Sequence, residues 1–355
     1  MNGTSPLLAA IASACAGRDL DEAAAAGALD VIMRGEATEA QIGALLGALC
    51  AKGETVEELV GAARAMRSHA TPVVSRRSPL VDTCGTGGDQ GGTFSISTTA
   101  ALIAAGAGAS VAKHGNRAAS GKFGSADVLE ALGMVVDLPA DAVVRCLDEV
   151  GMAFLFARRM HPEMRHVAGA RREIGVRTLF NLLGPLSNPA GASRQVIGVS
   201  SRRALELVAG ALLRLGAEHA LVVHSRDGLD EIALTAPVDA IEVRAATATP
   251  RVLDAADFGL VRVDRRRLLA EDLDASVRIV RAVLAGESGP CADVAVANAA
   301  AALHVAGVAT GLAEGVGLAR AAIAAGAARD VLDRLVAFTR AADSALGGAA
   351  GRARV

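Results

Sequence analysis

Two polar stretches define the chemistry open to this chain: Asp82-Thr-Cys-Gly-Thr-Gly-Gly-Asp89 and Lys113-His-Gly-Asn-Arg117. Each follows a short apolar run, Pro79-Leu80-Val81 before the first and Ser110-Val111-Ala112 before the second. Between them, Ser97-Thr-Thr-Ala-Ala-Leu-Ile-Ala-Ala opens with helix-capping residues and continues with strong helix formers. The order is strand, glycine turn, helix N-terminus, strand, basic turn. A turn of Gly85, Gly87 and Gly88 lets bare backbone N–H groups approach an anion closely. The helix adds unpaired N–H groups and the positive end of its dipole. Lys113 and Arg117 bring full charges to the same sheet edge. A phosphorylated ligand is the simplest reading.

Neither standard phosphate motif fits. No Gly-x-x-x-x-Gly-Lys-Ser/Thr occurs, and the turn lacks both the Gly-x-Gly-x-x-Gly spacing and the acidic residue of a dinucleotide fold. Taken alone, Gly-Thr-Gly-Gly-Asp also serves as a plain structural turn. Its ordered company is more specific. With Ser95-Ile-Ser-Thr98, Lys113-His-Gly-Asn-Arg117 and Gly124-Ser-Ala-Asp-Val-Leu-Glu-Ala-Leu-Gly133, the chain resembles the anthranilate phosphoribosyltransferase family. Arg171-Arg-Glu-Ile-Gly-Val-Arg-Thr-Leu-Phe-Asn-Leu-Leu-Gly-Pro-Leu-Ser-Asn-Pro189 and Asp227-Gly-Leu-Asp-Glu231 extend the match, which runs from the N-terminal helices to residue 335.

The resemblance implies transfer of a 5-phosphoribosyl group from phosphoribosyl pyrophosphate to the amine of anthranilate, in tryptophan biosynthesis. Breaking the C1–pyrophosphate bond leaves positive charge on the ribose and negative charge on the leaving group, so electrostatic stabilisation and positioning are the natural means. It also implies Mg2+, a hard cation that takes oxygen ligands and keeps substrate phosphates, held by Asp230, Glu231 and the hydroxyl of Ser97. Adjacent acids on a loop are otherwise usually just solvated, and Ser97 otherwise reads as a helix N-cap. Gly85, Gly88, Asp89 and Thr93 match the pyrophosphate and ribose cradle, continuing through Ser95, Ile96, Ser97 and Thr98. Lys113 would touch phosphate as a point charge. His114, Gly115, Asn116, Arg117, Ala118, Ala119, Ser120, Gly121 and Ser125 match the loop folded over the substrates. Arg171 matches the arginine for the acceptor carboxylate, with the adjacent Arg172 as the ordinary exposed counterpart. No side chain is assigned as a certain catalytic group. His114 is the candidate, and His161 joins it along the approach.

Departures from the family pattern concern the acceptor more than the donor. Ser95 stands where Asn is usual, Gln90 where Gly is usual, Arg158 where Pro is common, and Gly169-Ala170 where Pro-Val precedes the arginine. The alternatives are a pyrimidine nucleoside phosphorylase, which shares the fold, the same reaction with another aromatic acid acceptor, and a catalytically idle relative that binds nucleic acid. The last would need a basic face. Arg262 with Arg265-Arg-Arg267 is the obvious cluster, and Glu271, Asp272 and Asp274 follow it at once.

The 355 residues allow one large domain or two smaller ones. They are 52% hydrophobic with no Trp or Tyr and 7 Phe, so the core must be built from Ala, Leu and Val. A formal net charge of -2 argues against a general polyanion-binding surface. The five scattered cysteines form no Cys-x-x-Cys pair, which points to reduced, buried thiols in a cytoplasmic protein. Neither a signal peptide nor a membrane span is legible, the apolar stretch Ala100–Ala112 being short and broken by glycine.

These chemical residues need a frame. Residues 1–70 carry helical signals only: Asp21 caps a helix to Met33, and Thr38-Glu-Ala-Gln41 and Thr55-Val-Glu-Glu58 are capping boxes. So small a bundle needs a larger partner. From Pro79 the pattern alternates strands and helices, with strands expected at Gln195–Val199, Ala220–His224, Ala240–Arg244 and Val261–Val263 and a buried helix at Val294–Ala306. The expected fold is a helical bundle (1–70) joined by a mid-chain helical segment near 171–190, on a larger α/β domain (78–345) with a mixed sheet flanked by helices. Residues 346–355 read as a disordered tail. The resemblance adds a homodimer through the helical domain.

Overall fold

The computed structural model of the chain describes residues 5–87, 92–118 and 122–352, with side chains to residue 347. Gly88, Asp89, Gln90, Ala119, Ser120 and Gly121, all named above, lie outside the described residues, as do residues 353–355. Four helices come first: α1 (Pro6–Cys15), α2 (Glu22–Met33), α3 (Glu39–Lys52) and α4 (Val56–Ser68). Their starts follow the expected chemistry. The Asp21 carboxylate accepts from Ala24 N, and Thr38 and Thr55 each complete a reciprocal capping box, with Gln41 and Glu58.

The α/β part follows as β1 (Leu80–Gly85), α5 (Ile96–Gly106), β2 (Ser110–Gly115), α6 (Ser125–Ala131), α7 (Ala140–Val150) and β3 (Met152–Phe156). The chain then makes a helical excursion, α8 (Ala157–Met160), α9 (Arg165–Ile174) and α10 (Leu179–Leu186). It returns as β4 (Arg194–Gly198), α11 (Arg202–Arg214), β5 (His219–Ser225), β6 (Val238–Arg244) and β7 (Thr247–Leu253). Four helices close it: α12 (Leu273–Leu284), α13 (Pro290–Ala306), α14 (Leu312–Ala324) and α15 (Ala327–Arg352).

One seven-stranded sheet, ordered β3-β2-β1-β4-β5-β6-β7, carries the architecture. Strands β1 to β5 are parallel; β6 and β7 are antiparallel additions. Between β1 and β4 the strand order reverses direction, and in such sheets a crevice opens at the carboxyl ends beside that point. Two cores flank the sheet. On one side α5 and α13 are buried almost along their whole length, and their alanines let helices approach closely where aromatics are absent. On the other, Val167, Ala170, Phe180 and Leu183 of α9 and α10 share a core with α1–α4 and with Ile197, Ala220 and Val222 of the sheet. The small bundle is thereby covered.

Three local expectations need correction. Val261–Val263 is not a strand: Val261 is 73% exposed, and the seventh strand is β7 instead. β6 and β7 are joined by Ala245 and Ala246, both at positive φ, where an Asn-Gly pair would have announced the hairpin. Pro250 sits on β7 without penalty because β7 is an edge strand. Secondly, α15 continues to Arg352 where small and basic composition suggested disorder from 346. Thirdly, the five cysteines are unpaired, but Cys15 and Cys50 are exposed rather than buried.

Candidate active site

The carboxyl ends of β1, β2, β4 and β5 bring the candidate residues together. Gly85 ends β1, Lys113, His114 and Gly115 end β2, Gly198 ends β4, and Asp230 and Glu231 follow β5. The turn after β1 is tied to its neighbours on both sides. Thr86 N donates to Gly198 O at 2.9 Å, and Gly87 N, at φ 63°, donates to Asp230 Oδ2 at 3.0 Å. Two glycines are required here by space. A Cβ on Gly85 would lie 2.7 Å from Asp230 Oδ2, and one on Gly198 would lie 1.6 Å from Asp230 O. The acidic loop thus leans directly on the glycine turn.

Ser97 and Glu231 line the same pocket, together with Thr83, Cys84 and Asn298. Asn298 holds the loop in place: its Oδ1 accepts from Ile232 N at 3.2 Å and its Nδ2 donates to Ile232 O at 2.9 Å. A lone amide inside the alanine-rich α13 was the signal for this role. Ser97 is not the helix cap. Ser95 holds that position, and its hydroxyl donates to Thr98 Oγ1 at 2.8 Å. Ser97 sits one residue inside α5 and accepts from Lys113 Nζ at 3.3 Å. Hydroxyl and carboxylate oxygens held beside a glycine turn form a hard donor set, and they fit a magnesium ion.

Lys113 is buried, 1% exposed, beneath the edge rather than projecting from it. Its ammonium donates to Thr83 O and stands beside Asp82, itself fully buried. Burial pushes the Asp82 carboxyl up to about 6 while Lys113 beside it pulls the other way; burial likewise pushes the Lys113 ammonium down. Asp82 accepts from His114 N at 3.0 Å and from Asn188 Nδ2 at 2.8 Å, so it pins β2 and the segment after α10 to β1. Arg117 is engaged by acids of α6: Nη1 donates to Asp127 at 2.8 Å and Nη2 to Glu130 at 2.7 Å. Asn116 is exposed, its Oδ1 accepting from Arg117 N. Ser125 Oγ reaches Asn116 O at 3.4 Å, and Ala118 N reaches Asp127 Oδ2 at 3.4 Å, closing the described ends of the basic loop onto α6. Thr93 pairs with Leu269 in an isolated bridge, and Ile96 is buried in the core.

His114 and His161 lie side by side, ring centroids 5.1 Å apart, both buried. His114 Nδ1 is 3.1 Å from Gly184 O, while Nε2 of each ring has no partner. Burial, then repulsion from His161, brings His114 down to about 3, and burial brings His161 down to about 4. A ring that stays neutral to such acidity is a poor general base near pH 7, so positioning suits His114 better. The shifts have a measurable consequence. The folded state binds fewer protons on these rings than the unfolded chain, whose value is 6.5. Stability therefore falls as pH drops below 6.5, by up to about 1.4 kcal/mol per pH unit for each ring. Asp82 runs the other way, since its folded value is raised from 3.8 to about 6. His219, lowered by burial, adds to the histidine side. We expect urea-unfolding stability to decline from pH 6.5 toward about 4, and His114→Gln with His161→Gln to flatten that decline, leaving His219 and Asp82 in opposition. An undiminished decline in the double variant would show that these rings titrate normally.

The helical excursion reaches the same edge. Arg171 on α9 is half-buried over the Phe180 ring, 5.4 Å from its centroid, whereas Arg172 is exposed. Of the departures from the family pattern, Arg158 is exposed, Gly169 packs against Glu39, and Ala170 is buried in the helical core. Arg177 was not anticipated. It clasps the glycine turn, donating from Nη1 to Gly87 O at 2.6 Å and from Nη2 to Thr86 O at 3.3 Å. The basic cluster of the nucleic-acid reading is in part engaged, Arg262 by Asp254 at 2.5 Å and Arg265 by Asp227 O at 2.8 Å.

The helical bundle and the α/β layer it is set on correspond to the two domains of a glycosyl transferase family. Residues 8–70 match the helical bundle domain of a glycosyl transferase family, and residues 77–329 match its α/β domain. The chain is 53% identical over 321 residues to an anthranilate phosphoribosyltransferase of Thioalkalivibrio sulfidiphilus, covering 90% of this chain and 95% of that one. It is 52% identical over 337 residues to that of Moorella thermoacetica, covering 94% and 98%. The crystal structure of the Thermus thermophilus anthranilate phosphoribosyltransferase superposes with a TM-score of 0.89 at 45% identity, over 93% of this chain and 99% of that one. That of the Saccharomyces cerevisiae enzyme in complex with PRPP and Mg shares the fold, with a TM-score of 0.86 at 24% identity over 96% and 99%. The chain belongs to the anthranilate phosphoribosyltransferase family. No helix among the described residues is long and apolar enough to cross a membrane.

Proposed function

We propose that the chain transfers the 5-phosphoribosyl group of phosphoribosyl pyrophosphate to the amine of anthranilate, giving N-(5-phosphoribosyl)anthranilate and pyrophosphate. One observation carries the reading: the glycine turn, the Asp230-Glu231 loop and the end of β2 converge at the switch point of a chain 53% identical to enzymes of that name. Backbone N–H groups of the glycine turn and of the start of α5 bind the anionic donor. Arg177 holds the turn by its carbonyls, and Thr86 N and Gly87 N are engaged by Gly198 O and Asp230 Oδ2, so the start of α5 carries most of this contact. Asp230, Glu231 and Ser97 would hold Mg2+; the Saccharomyces cerevisiae enzyme that shares the fold has been crystallised with PRPP and Mg. When bound, the metal supplies divalent charge for the departing pyrophosphate. Lys113 raises the local potential from beneath the strand ends and favours the charged form of Asp82, and the Arg171 guanidinium orients the acceptor carboxylate. Bringing the amine to C1 is then a matter of positioning.

A homodimer through the helical domain and a cytoplasmic location complete the proposal. The departures at Ser95, Gly169 and Ala170 favour testing other aromatic acids as acceptors. Tag-free protein mixed with Mg2+, phosphoribosyl pyrophosphate and anthranilate should consume anthranilate, followed by loss of its fluorescence, and a panel of substituted benzoates should be poorer acceptors. A benzoate used faster than anthranilate would transfer the assignment to that acceptor; no turnover with any would overturn it.

A further inference from the structure

The far edge of the sheet carries a second cluster with chemistry. His219 opens β5, Glu242 lies on β6, and His304 is in the last turn of α13. Glu242 Oε1 is 2.9 Å from His219 Nε2 and 3.3 Å from His304 Nε2. The two rings meet edge-on, with centroids 4.9 Å apart. Side-chain exposures are 7% for His219, 14% for Glu242 and 11% for His304. Among the described residues this is the one group of three such side chains whose donor atoms lie within 4.8 Å of one another. A cavity of about 300 Å³, lined by Arg194, His219, Arg244, His304 and Thr310, opens beside it.

We propose that His219, Glu242 and His304 bind a divalent transition-metal ion of the Zn2+ class, with water or a small anion from the cavity as fourth ligand. The spacing suits such an ion. Tetrahedral coordination at about 2.0–2.1 Å sets ligand atoms roughly 3.3 Å apart, close to the 2.9 and 3.3 Å between Glu242 Oε1 and the two rings. Two imidazoles and one carboxylate select zinc, cobalt or nickel over magnesium. In the metal-free cluster Glu242 accepts from His304 Nε2, and a bound ion would take the place of that proton, while His304 Nδ1 is buried without a protein partner. Arg251 donates to Glu242 Oε2 at 2.5 Å and leaves Oε1 to face the rings. On the cavity wall Arg194 is engaged by Glu218 at 3.2 Å and by Ala306 O at 2.7 Å, which leaves Arg244 as the cation beside the open position. The bound ion ties β5, β6 and α13 together, about 20 Å along β5 from the acidic loop that follows it. The alternative is a purely ionic cluster, in which Glu242 accepts from both rings and no metal enters.

The experiment uses tag-free, chelator-stripped full-length protein titrated with Co2+ and Zn2+, with Mg2+ as the control. One equivalent of Co2+ should give the visible absorption of a tetrahedral site, displaced by Zn2+ and not by Mg2+. Zinc at about 100 times its dissociation constant should raise the melting temperature by about 3 °C. His219→Gln and His304→Gln should each abolish the absorption while leaving phosphoribosyl transfer unchanged. Zinc X-ray absorption of the wild type, independent of variant folding, should show imidazole and oxygen scattering only. Absence of the cobalt bands, their persistence in both variants, or sulfur at about 2.3 Å would overturn the proposal, the last by assigning the metal to cysteines.

Discussion

Replacing Asp230 with Asn and Glu231 with Gln together is expected to lower turnover at limiting magnesium by at least about 100-fold. The size follows from the chemistry. Divalent charge on a departing pyrophosphate contributes several kcal/mol of transition-state stabilisation, and each 1.36 kcal/mol is tenfold in rate. The fold should survive. Asn keeps an oxygen that can accept from Gly87 N where Asp230 Oδ2 accepts at 3.0 Å. The loop is also held independently by Asn298 through Ile232. Raising magnesium should recover part of the loss, since weakened metal affinity is one component of it. Glu271→Gln, an exposed acid near the described end of the basic loop, should change little. Steady-state rates at several magnesium concentrations, with urea midpoints for both proteins, decide the matter. Near-normal turnover in the double variant at limiting magnesium would remove the metal site from this loop.

Local elements were legible because their signals are local. Capping boxes at Thr38 and Thr55 depend on residues three apart, and the β-strands at 194–198, 219–225 and 238–244 announce themselves by branched and apolar runs. What escaped was set by pairing over distance. Nothing in Lys113-His-Gly tells that the lysine turns inward, because that depends on a buried Asp82 in the adjacent strand. The acid sat in plain view at the end of an apolar run, and its place within a strand reading was the available clue. Arg177 contacts carbonyls 90 and 91 positions earlier, and its helix-flanking context reads as ordinary solvent. β7 was missed because Ala245 and Ala246 adopt positive φ without the usual Asn or Gly. His219, Glu242 and His304 come from two strands and a helix, so no spacing rule unites them. The glycine turn and the paired acids were different: each is compact in sequence, and the sheet had only to bring two compact pieces to one edge.

Arg171→Lys should act on the acceptor and leave the donor almost untouched. A planar guanidinium holds a carboxylate through two parallel hydrogen bonds, which fixes orientation as well as affinity, and lysine keeps the charge but loses the fork. Loss of a charge-assisted contact of about 1.5–3 kcal/mol corresponds to roughly a 10- to 150-fold fall in kcat/KM for anthranilate. The half-buried setting favours the larger end, since burial strips water from the Arg171 guanidinium and lowers its pKa below the usual arginine value. Loss of its contact with the Phe180 ring, 5.4 Å away, should lower stability by only about 0.5–1 kcal/mol. Folding and acceptor use are therefore separable. Arg172→Lys, at an exposed position on the same helix, is the paired control and should leave both parameters unchanged. Aniline offers the amine without the carboxylate, so it should be a poor acceptor for the wild type and lose little more in the Arg171 variant. Titrating both substrates against both variants gives the answer. Control of anthranilate use by Arg172 would shift the acceptor assignment by one residue along α9. Indifference to both would mean the carboxylate is held elsewhere, and anthranilate would lose its standing as the acceptor.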